Sequence, residues 1–185
     1  MITRRDFFKI TAASGALAAF ADIKGAKATI NKVMPNSDYC LEQKKEIPII
    51  ADVDLIVIGG SSRAVAAATL ASKNGCSVFL IASLPYLGDD ICGSFLCDVQ
   101  EGETLHATLS RKLFFGRKDF CPLSDKTILE KELIDNDVKF LYSSYVSDVL
   151  VESSSLLRGV VIVNRSGRQA IRSKMIIDAT QDSIV

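Results

Sequence analysis

The feature that most restricts the fold is an apolar run that ends in two glycines and continues into an alanine-rich stretch. Residues 55–58 are apolar and largely β-branched, Gly59 and Gly60 follow, and residues 65–74 are rich in alanine. Residues 76–82 are again mainly apolar. Short apolar runs of this kind are typical of strands buried on both faces of a parallel sheet. The order therefore predicts strand, tight turn, helix and strand in an α/β domain.

The turn itself resembles the spacing G-x-G-x-x-G/A, which binds a dinucleotide pyrophosphate at a helix N-terminus. Gly59 and Ala64 satisfy the first and last positions, whereas Ser61 replaces the middle glycine. Arg63 adds positive charge beside the turn. These features make the whole segment a candidate phosphate site, formed by Gly59, Gly60, Ser61, Ser62, Arg63 and Ala64. An ordinary strand–helix–strand unit that binds no nucleotide is the alternative.

The acidic residue that normally contacts the adenosine ribose is missing. It is expected at the end of the second strand, about 20 residues after the turn. Residues 80–83 contain no acid, and Ala82 and Ser83 stand at that place. Ser83 offers one hydrogen bond but no bidentate carboxylate. The missing acid argues against tight dinucleotide binding and makes an NAD-binding domain less favoured.

Residues 56–68 read I-V-I-G-G-S-S-R-A-V-A-A-A, and this pattern resembles the opening of FAD-dependent oxidoreductases of the glutathione-reductase type. Residues 85–93 are similar to the x-x-L-G-G segment of that family, and residues 174–182 are similar to its V-I-D-A-T-G-D segment. The resemblance implies FAD as the cofactor and adds further expected contacts. Those contacts are Gly88, Asp89, Val146 beside the adenine, Ala179 and Thr180.

The remaining pattern fits a Rossmann-like FAD-binding domain with a parallel sheet and a small β-meander insertion. Residues 127–136 predict an amphipathic helix, and residues 138–142 predict a strand. Residues 164–167 have the composition of a hairpin turn. The three strands of the meander are predicted at residues 146–151, 159–163 and 169–177.

The N-terminus has the order of an export signal. Adjacent arginines at residues 4–5 precede two phenylalanines and a lysine, and an apolar run of 12 residues follows at 10–21. Residues 26–28 offer a small-x-small cleavage site. We predict a twin-arginine signal peptide at 1–28, a linker at 29–50 and the FAD-binding domain at 51–185, with the mature protein in the periplasm or cell envelope. A basic amphipathic helix or an uncleaved anchor is the alternative.

Several classes of partner and site are not favoured by the composition. The chain has 22 basic and 22 acidic residues, so nothing indicates nucleic acid. The apolar run is shorter than the roughly 20 residues of a membrane span. One histidine, His106, and no ligand motif predict no metal site. Cys92 and Cys97 have the spacing of a flavin-linked redox pair, although small buried cysteines are the simpler interpretation.

The expected activity is hydride transfer from an unknown substrate to flavin. No catalytic residue is predicted. The resemblance implies a later strand and a substrate domain beyond the third cofactor segment, so we expect the chain to be incomplete, with a second chain as one way of completing the enzyme. The alternative is a non-catalytic nucleotide-fold fragment that binds a partner chain.

Overall fold

The computed structural model describes residues 44–94, 107–114, 121–153, 156–183 and 185. The predicted signal peptide, Cys97 and His106 lie outside these ranges. A π-helical turn spans Asp89–Gly93. The other elements are β1 (Ile49–Ile58), α1 (Ser62–Lys73), β2 (Val78–Ile81), α2 (Thr108–Phe114), α3 (Pro122–Asp135), β3 (Lys139–Leu141), β4 (Tyr145–Ser153), β5 (Leu156–Asn164) and β6 (Gly167–Asp178).

All six strands belong to one sheet, in the order β3-β2-β1-β6-β5-β4. β1 pairs in parallel with β2 on one side and with β6 on the other, and β3 pairs in parallel with β2. β4, β5 and β6 pair antiparallel as a meander. This mixed sheet with flanking helices confirms the predicted α/β class.

The meander shares its last strand with the parallel sheet, and its apolar residues pack against one face of the parallel strands. Arg172 of β6 pairs with Asp52 of β1 and also with Gly159 of β5. β6 is 12 residues long, which is enough to complete the hairpin with β5 and then continue along β1 to Asp178. The single long strand therefore carries the chain from the hairpin to the end of the sheet at which β1 also ends.

The two faces of β1 contribute to two apolar clusters. Leu55 and Val57 point to the cluster that includes Leu129 of α3. Ile56 and Ile58 point to the opposite cluster, which also contains Ile162 and Ile171. Alternate residues of a strand face opposite sides of a sheet, so an uninterrupted apolar run is what a strand buried on both faces requires.

The predicted elements are present, and several boundaries differ. α1 begins at Ser62 and not at 65, because Ser61 caps its N-terminus. α3 begins at Pro122, a residue that suits the first helical turn, and not at 127. β1 begins at Ile49, within the range predicted as linker. None of the helices in the described ranges is both long enough and apolar enough to cross a membrane.

Candidate cofactor site

The ends of β1 and β6 bring two of the predicted cofactor segments into direct contact. Gly59 N–H donates to the Ile81 carbonyl at 2.8 Å, and Ala179 N–H donates to the Ile58 carbonyl at 2.8 Å. A Cβ atom on Gly59 would lie 2.6 Å from the Ala179 carbonyl oxygen. Gly59 also has a φ of +132°, which favours glycine. The first glycine of the turn is therefore required by the approach of the Asp-Ala-Thr segment.

Ser61, the residue in place of the middle glycine, is the N-cap of α1. Its backbone is extended, and its hydroxyl accepts a hydrogen bond from Ala64 N–H at 3.1 Å. Ser61 and Ala64 are buried, whereas Arg63 is exposed at the start of the helix. A serine at this position stabilises the helix N-terminus, which a glycine would do less well.

Gly88 joins the second predicted segment to the first. Its N–H donates to the Gly60 carbonyl at 2.7 Å, and its φ is +81°. A Cβ atom there would lie 2.8 Å from Leu129 Cδ1 and 3.1 Å from Cys92 Sγ. The left-handed backbone of Gly88 therefore favours glycine, a side chain there would crowd Leu129 and Cys92, and Gly88 starts the π-helical turn beside the N-terminus of α1.

Asp90 of that turn contacts α1 in a way that sequence analysis did not predict. Its Oδ1 accepts from Ser62 N–H at 2.8 Å, and its Oδ2 accepts from the Ser62 hydroxyl at 2.6 Å. Helix N-terminal amides carry partial positive charge and bind anions. The Asp90 carboxylate is therefore the anion held at the start of α1. The only sign of this in the sequence is the pair of acids after Gly88. The first of them stands where the family that this chain resembles has a second glycine.

The third predicted segment is ordered by Asp178, another residue without a predicted role. Thr180 donates to Asp178 Oδ1 from its N–H at 2.9 Å and from its hydroxyl at 2.6 Å, and Val185 N–H donates to Oδ2 at 2.9 Å. Burial raises the pKa of Asp178, but these hydrogen bonds lower it further than burial raises it, so the net pKa lies below its usual value. The ionised carboxylate fixes Thr180 beside Ala179.

The sequence profile of the FAD dependent oxidoreductase family matches residues 54–185. The chain belongs to this family. FAD is the cofactor of the family, as the resemblance implied. The profile of the twin-arginine translocation pathway signal matches residues 1–21, which confirms the predicted export signal. No curated protein matches the sequence.

Solved structures with a similar fold include a reductase and a dehydrogenase. The open conformation of a flavocytochrome c3 fumarate reductase aligns at 15% identity and a TM-score of 0.52, covering 80% of this chain and 39% of that one. L-proline dehydrogenase from P. horikoshii aligns at 23% identity and a TM-score of 0.51, covering 74% of this chain and 24% of that one. These similarities support the fold alone. The chain spans less than half of the length of each of these two structures.

The backbone of the site fits FAD, whereas the charge of the Asp90 carboxylate conflicts with a bound pyrophosphate. The close approaches at Gly59 and Gly88 build the turn that a pyrophosphate needs in front of α1. A pyrophosphate at the α1 amides would meet the Asp90 carboxylate, which now accepts from Ser62. Burial, and then the charge of Asp90, raises the pKa of Asp89, while Arg63 opposes that rise. A cavity of about 190 Å³ lies here, lined by Ser61, Arg63, Asp89, Asp90, Ser94 and Gln181.

The residues predicted for the adenosine end lie at the neighbouring strand ends. Ala82 is fully buried, and its Cβ would lie 3.3 Å from a Cβ on Gly60. Ser83 follows it and is half-buried. Val146 is half-buried and packs against the cluster that contains Ile58 and Ile81. The position of the missing acid is therefore occupied by a small side chain that faces the glycine turn.

The predicted redox cysteines cannot both be placed, because Cys97 lies outside the described residues. Cys92 is buried, and its thiol contacts the Pro122 carbonyl at 3.6 Å. Its Sγ also lies close to Gly88, since a Cβ atom on that glycine would be 3.1 Å from it. Among the residues that the structure describes, no group of three or more acidic, histidine or cysteine side chains could hold a metal ion.

Proposed function

We propose that this chain is the FAD-binding portion of an exported oxidoreductase in which flavin accepts a hydride from a small-molecule substrate. The observation that carries the proposal is the meeting of the three cofactor segments at the ends of β1 and β6. Gly59 contacts Ala179, and Gly60 contacts Gly88. All four residues lie at the carboxyl ends of the parallel strands. Ligands of open α/β sheets bind outside the carboxyl ends of the strands.

Each segment has a proposed role toward FAD. The α1 N-terminus, with Arg63, would bind the pyrophosphate. Ala82, Ser83 and Val146 would line the adenosine end, where no carboxylate contacts the ribose. Gly88, Asp89, Ala179 and Thr180 would face the ribityl and flavin side. The complete set is Gly59, Gly60, Ser61, Ser62, Arg63, Ala64, Ala82, Ser83, Gly88, Asp89, Val146, Ala179 and Thr180.

The export signal supports a location beyond the cytoplasmic membrane. We place the mature protein in the periplasm or cell envelope, with a signal peptide at 1–28, a linker from residue 29 up to the start of β1, and the FAD-binding domain from β1 to residue 185. Structures of similar fold extend well beyond the aligned part. The substrate side of the enzyme is therefore proposed to come from protein outside the FAD-binding domain, with a second chain as one source.

The test is FAD retention by the purified full chain. Flavin absorbance that elutes with the protein in gel filtration is expected, and titration should give a defined stoichiometry. Arg63→Ala should weaken FAD binding by about fivefold, since an exposed charge contact contributes up to ~1 kcal/mol. The matched control is Lys73→Ala, which removes an exposed cation from the other end of α1 and should leave the affinity unchanged. Equal affinities for the two variants would contradict the proposed role of Arg63.

A second candidate function is a non-catalytic module that binds a partner chain. Two observations favour it: Asp90 occupies the anion position of α1, and Ala82 replaces the ribose-binding acid. A folded chain that retains no FAD, both as wild type and as Asp90→Asn, would favour this candidate over the flavoenzyme.

A further inference from the structure

We propose that the Asp90 carboxylate is an internal competitor of the FAD pyrophosphate, and that it must leave Ser62 before FAD binds at α1. The inference rests on the proposed function and assigns a regulatory role within the same site. Asp90 makes two hydrogen bonds to one residue, at 2.8 Å and 2.6 Å, and both donors belong to the first residue of the helix. A phosphate oxygen at this amide would need the volume that the carboxylate fills.

The turn that carries Asp90 is held by its own backbone. Gly88 N–H donates to the Gly60 carbonyl at 2.7 Å, and Cys92 N–H donates to the Gly88 carbonyl at 2.6 Å. The Asp90 N–H donates to Asp89 Oδ1 at 3.0 Å, and the Asp90 carbonyl accepts from the Ser94 hydroxyl. None of these bonds uses the Asp90 carboxylate. Its side chain can therefore rotate away from Ser62 while the turn stays in place.

Charge adds to the competition. Asp89 and Asp90 are adjacent carboxylates, and Arg63 is the cation that lines the same cavity. A pyrophosphate entering this cavity meets like charge at short range, which disfavours binding. A carboxylate at the α1 amide also satisfies a donor that would otherwise be left without a partner at the helix N-terminus. Asp90 therefore stabilises the FAD-free state and weakens FAD binding at the same time.

The test is a set of titrations on the full chain with FAD, ADP and riboflavin. Asp90→Asn replaces two charge-assisted hydrogen bonds to Ser62 with weaker neutral ones that a phosphate displaces more easily, and it removes a like charge, so we expect FAD and ADP to bind about tenfold more tightly. Riboflavin carries no phosphate, so its affinity should not change. The matched control is Asp52→Asn, which removes one exposed charge from β1 and should leave all three affinities unchanged.

The outcomes separate this inference from the proposed function. Tighter FAD and ADP binding by Asp90→Asn, without a change for riboflavin, supports it. If the wild type binds FAD and Asp90→Asn binds it equally or more weakly, the inference is overturned and the proposed function stands. If no variant binds FAD, both are wrong. Asp90→Ser, which also lacks the charge, replaces Asp90→Asn if that variant does not fold, and the same comparisons decide.

Discussion

Replacing Gly59 with alanine should lower the free energy of unfolding far more than the same change at Gly75, whose φ is also positive. The added Cβ would lie 2.6 Å from the Ala179 carbonyl oxygen and 2.9 Å from its carbonyl carbon. Both atoms are backbone, so neither can move without shifting the end of β6. A strained backbone costs about 1–3 kcal/mol, and overpacking adds about 1–3 kcal/mol. We expect a loss of about 4 kcal/mol in total.

Gly75→Ala is the matched control. Gly75 has a φ of +87°, and a Cβ there meets nothing within 4 Å. Its alanine variant should lose only about 1–2 kcal/mol, from the left-handed backbone alone. Urea unfolding of the full chain, followed by far-ultraviolet circular dichroism, measures both losses under one set of conditions. If Gly59→Ala loses no more free energy than Gly75→Ala, the contact with Ala179 is not as close as described.

Two further changes test the cap of α1 and the third cofactor segment. Ser61→Ala should lower the free energy of unfolding by about 1 kcal/mol in urea titrations, because the hydrogen bond to Ala64 N–H is lost, while Ser61→Gly should cost only a few tenths; equal losses would contradict the cap. Asp178→Asn should be less stable than the wild type at neutral pH. Because the pKa of folded Asp178 is lowered, its stabilisation is complete above the usual value of 3.8 and is lost as the pH falls through the folded pKa. Unfolding measured across that range should show the two proteins converging in acid, and a constant difference would contradict it.

Much of the candidate site could be predicted from local sequence. The spacing of Gly59 and Ala64 predicted the turn and the helix that follows it, because a tight turn and close packing each demand a small residue at a fixed place. Residues 174–182 predicted a strand that ends in Asp-Ala-Thr. The contact between these segments needed the sheet order, since residues so far apart in sequence become neighbours only when β6 pairs with β1.

The role of Asp90 could not be predicted from the residues around it. The pair of acids after Gly88 is visible in the sequence, but nothing in the sequence indicates that one of them reaches the start of α1. The π-helical turn brings Asp90 to Ser62, which lies 28 residues earlier in the sequence. Ser61 was noted as a departure from the glycine pattern, but its function as a cap depends on the exact start of α1.

The sequence by itself determined the export signal, the α/β class, the order of the six strands with α1 and α3, and the family, whereas the π-helical turn and α2 were not predicted. The fold class and the order of elements depend on the periodicity of apolar residues and on small residues at turns, whereas the export signal and the family follow from motifs that resemble known ones. Only the tertiary structure decided that the meander shares β6 with the parallel sheet and that Asp90 holds the N-terminus of α1. The physical reason is that a hydrogen bond between distant residues depends on how whole strands and turns pack, and local propensity carries no information about that packing.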